Sequence, residues 1–181
     1  ALSRKKITSP LMERLEYARW DGRSATDLAA LIEGADVVVN LAGESIGKGP
    51  WTENRKALQL SSRVEPALAV SAAWKMTRVK PSLLVQASAI GIYGTGDEIK
   101  DESSAPGEDY LSNLAKKWEA ASLDVESTGA RRVVVRTGVV LDKNTGVLPQ
   151  VMLPFKLMVG GPIGSGRQVL SDAGGKNLGA E

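Results

Sequence analysis

A chain of 181 residues with 23 basic and 21 acidic side chains, a net charge of +2 and 43% apolar residues is sized for one globular domain with a substantial core. Its cations are scattered, which argues against a nucleic-acid partner. The absence of cysteine excludes disulfides and thiolate catalysis, and the absence of histidine excludes a serine–histidine triad and an imidazole-held metal, so no metal site is expected.

No apolar run approaches the roughly 20 residues that span a bilayer. The start of the chain carries no signal-peptide pattern. A soluble protein without membrane insertion is expected, in the cytoplasm or in an organelle stroma or matrix, since a processed transit peptide leaves no trace.

In chain order, "LEYARWD" (15–21) alternates as a half-buried strand. "SATDLAALIEG" follows as a capped helix with a glycine stop, and "DVVVNLAG" is apolar on both faces, as a strand buried in a parallel sheet would be. Thr52 to about Lys75 reads as a long helix that Pro66 should kink or restart. "PSLLVQASA" (81–89) is the next strand. A helix from Asp109 to about Ser127 places Leu111, Leu114, Trp118 and Ala121 in one stripe, and "ARRVVVRTGVVL" supplies a further strand. Strands alternating with helices predict a doubly wound parallel sheet, whose sites form at the carboxyl ends of the strands.

Three segments sit at such ends. "VVVNLAGES" places Asn40 before two small residues, either a tight turn or a close backbone approach to a ligand. "QASAIGIYG" sets Ser88 at a strand end and Tyr93 five residues on, either a packed turn or two hydroxyls converging on a carbonyl group. "GGPIGSGRQ" (160–168) is the chain's densest run of glycine. It follows "RTGVVL" and not the first strand, so it is no dinucleotide phosphate loop. Arg167 there offers planar donors for a substrate phosphate or carboxylate with Gln168 beside it, unless the segment is a surface loop with a solvated arginine.

The blocks "LSR" (2–4), "ADVVVNLAGESI" (35–46), "WTENRKALQLSSRV" (51–64), "ASAIGIYG" (87–94), "YLSNLAKKWEAA" (110–121) and "VVVRTGVVL" to "LPFKLMVGGPIGSGRQ" (133–168) come in a telling order. Together they resemble the extended, sugar-nucleotide-epimerase-like branch of the short-chain dehydrogenase/reductase superfamily. Closer still is the similarity to its atypical NAD(P)-dependent epimerase/dehydratase, cell-division-inhibitor-like subgroup. The resemblance implies a Rossmann-type domain over residues 1–145 and the start of a substrate-side segment over 146–181. It also implies NADP(H) as cofactor. Ser3 and Arg4 would stand at the adenosine ribose, where a basic residue favours a 2′-phosphate. Asp21 would lie near the adenine, Leu41, Ala42 and Gly43 along the adenosine and pyrophosphate path, Arg63 facing the cofactor, and Val139 at the nicotinamide end. Arg167 and Gln168 would lie on the substrate side.

Three departures accompany the match. The family's glycine-rich phosphate loop is not found, because "ALSRKK" resembles the end of its second strand; the expectation is a sheet without its first strand, a piece that would expose apolar surface. The tail "VLSDAGGKNLGAE" lacks the family's Trp-Ile-His strand. The third is catalytic. The usual tyrosine is followed four residues later, one helical turn on, by a lysine, whereas Leu114 stands four after Tyr110. Ser88 and Tyr93 remain as candidate catalytic hydroxyls. The expected activity is hydride transfer on an unknown, sugar-nucleotide-like substrate. The alternative is a non-catalytic dinucleotide-binding regulator or scaffold with a protein partner or a second copy.

Overall fold

The computed structural model describes residues 1–4, 15–47, 49–96, 98–140 and 148–161, and the backbone of 170–171 and 177–178. The chain divides into two compact units. The first comprises Ala1–Ile46, Pro50–Ala87 and Lys116–Val135, and the second Gly47–Gly49, Ser88–Ala115 and Arg136–Glu181.

The first unit begins with two short parallel strands, β1 (Leu2–Ser3) and β2 (Ala18–Arg19), in the register Leu2 to Ala18 and Ser3 to Arg19. The strand expected over 15–21 is thus confined to two residues. The helix α1 (Ala25–Ile32) starts where expected, because the Ser24 hydroxyl accepts the Asp27 N–H at 3.2 Å and so satisfies an orphan donor of the first turn. It ends before Gly34, whose φ of 71° is a left-handed conformation that glycine adopts without a Cβ penalty.

A three-stranded sheet follows in the order β3 (Val37–Asn40), β4 (Leu83–Ala89), β5 (Arg131–Thr137). β3 and β4 are parallel, pairing Val37 with Leu83 through Asn40 with Gln86. One expectation fails here. Val38 packs on the core, but Val37 and Val39 are 44% and 55% exposed, so β3 is not buried on both faces. Successive strand residues point to opposite faces, and the Val37–Val39 face stays about half exposed among the described residues.

Between β3 and β4 runs α2 (Glu53–Met76), capped by the Thr52 hydroxyl on Arg55 N–H at 3.3 Å. Pro66 lies within this single helix and neither ends nor restarts it. A proline inside a helix forfeits one backbone hydrogen bond, and here the wholly buried neighbours Ala67, Val70 and Ala73 hold the segment against the core. α1 packs on α2 through Leu28, Ile32 and Trp74, with Leu84 of β4 behind them. Trp74 has no exposed surface, and truncating such a side chain to alanine costs about 3–5 kcal/mol.

The helix expected from Asp109 to Ser127 is two elements: α3 (Tyr110–Ala120), then a 3-10 segment over Leu123–Thr128. The apolar stripe is real, with Leu114, Trp118 and Ala121 buried. α3 crosses from the second unit into the first, where Trp118 and Ala121 pack on Ala67 of α2.

In the second unit β4 leads into a 3-10 turn over Ile90–Tyr93, closed by Gly94 at φ 75°. Gly107 N–H donates to Ile92 carbonyl at 2.8 Å, laying the two glycines back to back. The unit also holds α4 (Leu148–Lys156), none of whose residues is buried, and a short antiparallel pair, β6 (Leu170–Ser171) with β7 (Asn177–Leu178). Among the described residues no helix is long and apolar enough to cross a membrane.

Candidate functional site

In the first unit the turns after β2 and β3 both touch α2. β1 and β2 end side by side: Trp20 N–H donates to the Ser3 carbonyl at 3.1 Å, and the Tyr17 hydroxyl donates to the same oxygen at 3.2 Å. Ser3 is half-buried and Arg4 exposed beyond it. Asp21 follows β2, and its Oδ1 accepts the N–H groups of Arg23 and Ser24, both at 2.8 Å. These two donors, Ser24 foremost, hold its carboxyl below the usual aspartate range. Asp21 therefore organises the start of α1, a role the sequence reading did not assign.

The loop after β2 is tied to α2 by an Arg23–Glu65 ion pair at 2.7 Å and by the contact of Gly22 with Pro66. One turn back on the same helix stands Arg63. A Cβ added to Gly43 would meet the Arg63 Cζ at 3.2 Å and its Cγ and Nε at 3.3 Å. Residues three apart share a helix face, so Arg63 and Pro66 align the turns after β3 and β2 along one surface. The residues that follow Asp21 and the turn that holds Gly43 thereby meet the same helix.

The β3–α2 turn is built residue by residue. At its root, Asn40 Nδ2 donates to Gln86 Oε1 at 3.0 Å, while Asn40 Oδ1 accepts the Ala42 N–H at 3.1 Å. Further on, Glu44 N–H donates to the Ser62 hydroxyl at 3.0 Å, and Arg55 Nη2 donates to the Ser45 carbonyl at 2.8 Å and to Glu44 Oε1 at 3.3 Å. Gln59 Nε2 and Trp51 Nε1 both donate to the Ile46 carbonyl, at 3.4 and 3.0 Å. Arg55, Gln59, Ser62 and Arg63 follow helical spacing, so one polar face of α2 clasps the whole turn. Leu41, at 74% exposed, projects away from it.

Arg63 is only 7% exposed. Its Nη1 donates to the Gln59 carbonyl at 3.0 Å, and its guanidinium lies over the Trp118 ring, 5.1 Å from the centroid. A desolvated guanidinium on an indole face gains about 2 kcal/mol from the ring quadrupole, which offsets part of the cost of burying the charge. Neither Trp118 nor Gln59 was given a site role from sequence. The stripe of α3 marked Trp118 as core, and helical spacing from Arg63 is the signal that finds Gln59.

The second unit holds the candidate catalytic side chains. Ser88 is buried near the end of β4, and its carbonyl accepts from Thr137 Oγ1 at 3.2 Å. Tyr93 is half-buried, and its hydroxyl oxygen accepts from Arg136 Nη1 at 2.8 Å, with the guanidinium 5.3 Å from the ring centroid. Arg136 Nη1 also reaches the Glu102 carbonyl at 3.4 Å. The sequence reading missed Arg136, a cation in an alternating strand. α3 places Leu114 one turn after Tyr110 as a buried residue, so the tyrosine–lysine pair is absent from that helix. Val139 lies just beyond β5 and is substantially exposed. Arg167 and Gln168 lie outside the described residues.

A family model described as the NAD dependent epimerase/dehydratase family matches residues 1–152. Epimerase family protein YfhF of Bacillus subtilis is 41% identical over 161 residues, 88% of this chain and 52% of that protein. Mouse epimerase family protein SDR39U1 is 41% identical over 139 residues, 74% of this chain and 46% of that protein. The crystal structure of human epimerase family protein SDR39U1 (isoform 2) with NADPH superposes with a TM-score of 0.73 at 35% identity, covering 94% of this chain and 55% of that one. DesIV, a dTDP-glucose 4,6-dehydratase from Streptomyces venezuelae, shares the fold with a TM-score of 0.70 at 16% identity, covering 90% of this chain and 52% of that one. The chain thus spans about half the length of these relatives. Its doubly wound, Rossmann-like α/β fold and its sequence agree, and the chain belongs to the NAD dependent epimerase/dehydratase family.

Proposed function

We propose that this chain binds NADP(H) and forms the cofactor side of an oxidoreductase of the epimerase/dehydratase type. The observation that carries the reading is the Gly43–Arg63 contact at the end of β3. Glycine leaves the space that the guanidinium fills, and a largely buried cation beside a strand-end turn is the chemistry an anionic dinucleotide requires. The human relative solved with NADPH supports the same choice.

The residues present fit the adenosine end of such a cofactor. Ser3 and Arg4, at the end of β1, would supply a hydroxyl and an exposed cation for a 2′-phosphate, and we assign Asp21 and Leu41 to Gly43 to the rest of the adenosine and pyrophosphate path. The cofactor, when bound, supplies or accepts a hydride. This chain's own part is to recognise the 2′-phosphate, hold the dinucleotide along the β3–α2 turn and present a proton donor to the substrate. We assign Ser88 and Tyr93 to that last task, Val139 to the nicotinamide end, and Arg167 and Gln168 to the unidentified substrate, which we take to be sugar-nucleotide-like.

Fluorescence titration tests the reading. NADPH should bind about tenfold tighter than NADH, the worth of one charge-assisted contact, and Arg4→Ala should bring the two together. Equal affinities in the wild-type chain, or a preference that survives both Arg4→Ala and Ser3→Ala, would refute it.

A further inference from the structure

Trp118 carries a feature that packing alone does not explain. Its Nε1–H is buried and has no hydrogen-bond partner among the described residues. Stranding a donor costs stability, and a phenylalanine fills an apolar site without stranding anything. Trp74 strands the same atom, but it sits among Leu28, Ile32 and Leu84 in the apolar core, where its bulk accounts for it. The buried apolar residues clustered with Trp118 are two alanines, Ala67 and Ala121. What this indole does hold is a cation, because the Arg63 guanidinium lies over its ring, 5.1 Å from the centroid. Of the aromatic side chains, tryptophan attracts a cation most strongly. We propose that Trp118 is a positioning residue, whose ring holds Arg63 ready for the 5′-phosphates of the bound dinucleotide. This rests on the reading of the chain as a dinucleotide-binding protein given above.

Gly43, Arg63 and Trp118 all lie in the first unit. Arg63 Nη1 donates to the Gln59 carbonyl one helical turn back at 3.0 Å, and Trp118 presents its ring from α3. A Cβ on Gly43 would stand 3.2 Å from the Arg63 Cζ, so the guanidinium approaches the turn after β3 more closely than a side chain there would allow. Stacking engages the face of a guanidinium, whereas its N–H donors point outward in the plane. The ring therefore restrains the arm without taking up a donor.

Restraint has a measurable consequence. An arginine in water samples many rotamers, and binding an anion must freeze them. Arg63, 7% exposed and stacked, has given up that freedom on folding. Removing the stack returns it, and binding then loses about three- to tenfold in affinity. The loss falls on the group that Arg63 meets. Gly43 belongs to the turn assigned to the pyrophosphate path, while the 2′-phosphate is assigned to Ser3 and Arg4, so the two phosphates should respond differently.

The test titrates the full chain calorimetrically with ADP and with 2′-AMP, which share the adenosine but carry phosphate at different positions of the ribose. In Trp118→Leu the ADP affinity should fall by about three- to tenfold, with that for 2′-AMP within about twofold of wild type. Trp118→Phe keeps a weaker π face and removes the stranded donor, so its ADP affinity should lie between the two. In an Arg63→Met background, Trp118→Leu should cost ADP less than about twofold more, because the ring acts through the cation. Independently of any ligand, the Arg63 Hε resonance should move toward that of an exposed arginine in Trp118→Leu, as the indole ring current is lost. Circular dichroism checks that each variant is folded, and Trp118→Phe carries the comparison where the leucine variant is not. Unchanged ADP affinity in the folded variants would overturn the proposal alone. Equal losses for ADP and 2′-AMP, an undiminished loss in the Arg63→Met background, or an unmoved Arg63 signal would also overturn it, leaving Trp118 a core residue. A wild-type chain that binds neither nucleotide would overturn the functional reading first and this proposal with it.

Discussion

Asn40→Ala isolates the joint on which the β3–α2 turn is built. The substitution removes two hydrogen bonds at once, from Asn40 Nδ2 to Gln86 Oε1 and from Ala42 N–H to Asn40 Oδ1. Gln86 has no exposed surface, so its Oε1 is stranded away from water, at a cost of about 1–3 kcal/mol. The Ala42 N–H is half-buried and can reach water, so its loss adds about 1 kcal/mol. The sum, about 2–4 kcal/mol, lowers the melting temperature of a chain of this length by about 4–16 °C. Thermal unfolding followed by circular dichroism at neutral pH measures it. The double variant Asn40→Ala with Gln86→Leu should be less destabilised than the two singles added together, by about 1 kcal/mol or more, because removing both partners leaves no stranded oxygen. NADPH affinity should fall in Asn40→Ala as the turn loses its root. A loss below about 0.5 kcal/mol, the level of an ordinary surface change, would refute the claim that this pair anchors the turn.

Three further outcomes follow from the same structure. Gly43→Ala forces a methyl group within 3.3 Å of an arginine held by Gln59 and Trp118, so NADPH affinity should drop and stability should fall by about 1–3 kcal/mol in titration and melting experiments. Gly107→Ala puts a Cβ 2.7 Å from Ser112 Oγ and 2.8 Å from Gly94 Cα; because Gly94 is backbone, the clasp must open, with a comparable loss of about 1–3 kcal/mol and weaker protection of the Gly107 amide in hydrogen exchange. On the acid side, backbone donors depress Asp21 in the folded state, so its stabilisation is present above the ordinary carboxylate range and is lost as pH falls through the lowered value. Asp21→Asn should therefore flatten the fall in melting temperature below about pH 4, and an unchanged acid limb would contradict the Asp21 contacts.

Much of this protein was legible before any coordinates. Apolar periodicity placed α1, α2, β3, β4 and β5 in order, and Ser24 and Thr52 marked the helix starts because a hydroxyl at that position satisfies a first-turn N–H. The exposure of Val37 and Val39 was not legible, since a run of valines reports β propensity and not which neighbours cover each face. Pro66 misled for a related reason: local propensity predicted a break, and burial against the core overrode it. The clasp on the β3–α2 turn was hidden most deeply. Arg55, Gln59, Ser62 and Arg63 have the composition of a solvated helix face, and their partners are mostly backbone groups of the turn, which leave no mark on side-chain identity. Arg136 was hidden likewise, because a cation in an alternating strand reads as an outward-facing residue. Motif blocks carried the family and the candidate residues; the joints between them required geometry.

The central claim is that Ser3 and Arg4 at the end of β1 recognise a 2′-phosphorylated adenosine. Calorimetric titration of the full chain with 2′,5′-ADP and with 5′-AMP tests this most directly, because it separates the 2′-phosphate from the nicotinamide and the pyrophosphate. 2′,5′-ADP should bind about tenfold tighter or more, compete with NADPH, and lose its advantage in Arg4→Ala. Equal binding of the two nucleotides, or binding of 2′,5′-ADP that leaves NADPH in place, would contradict it.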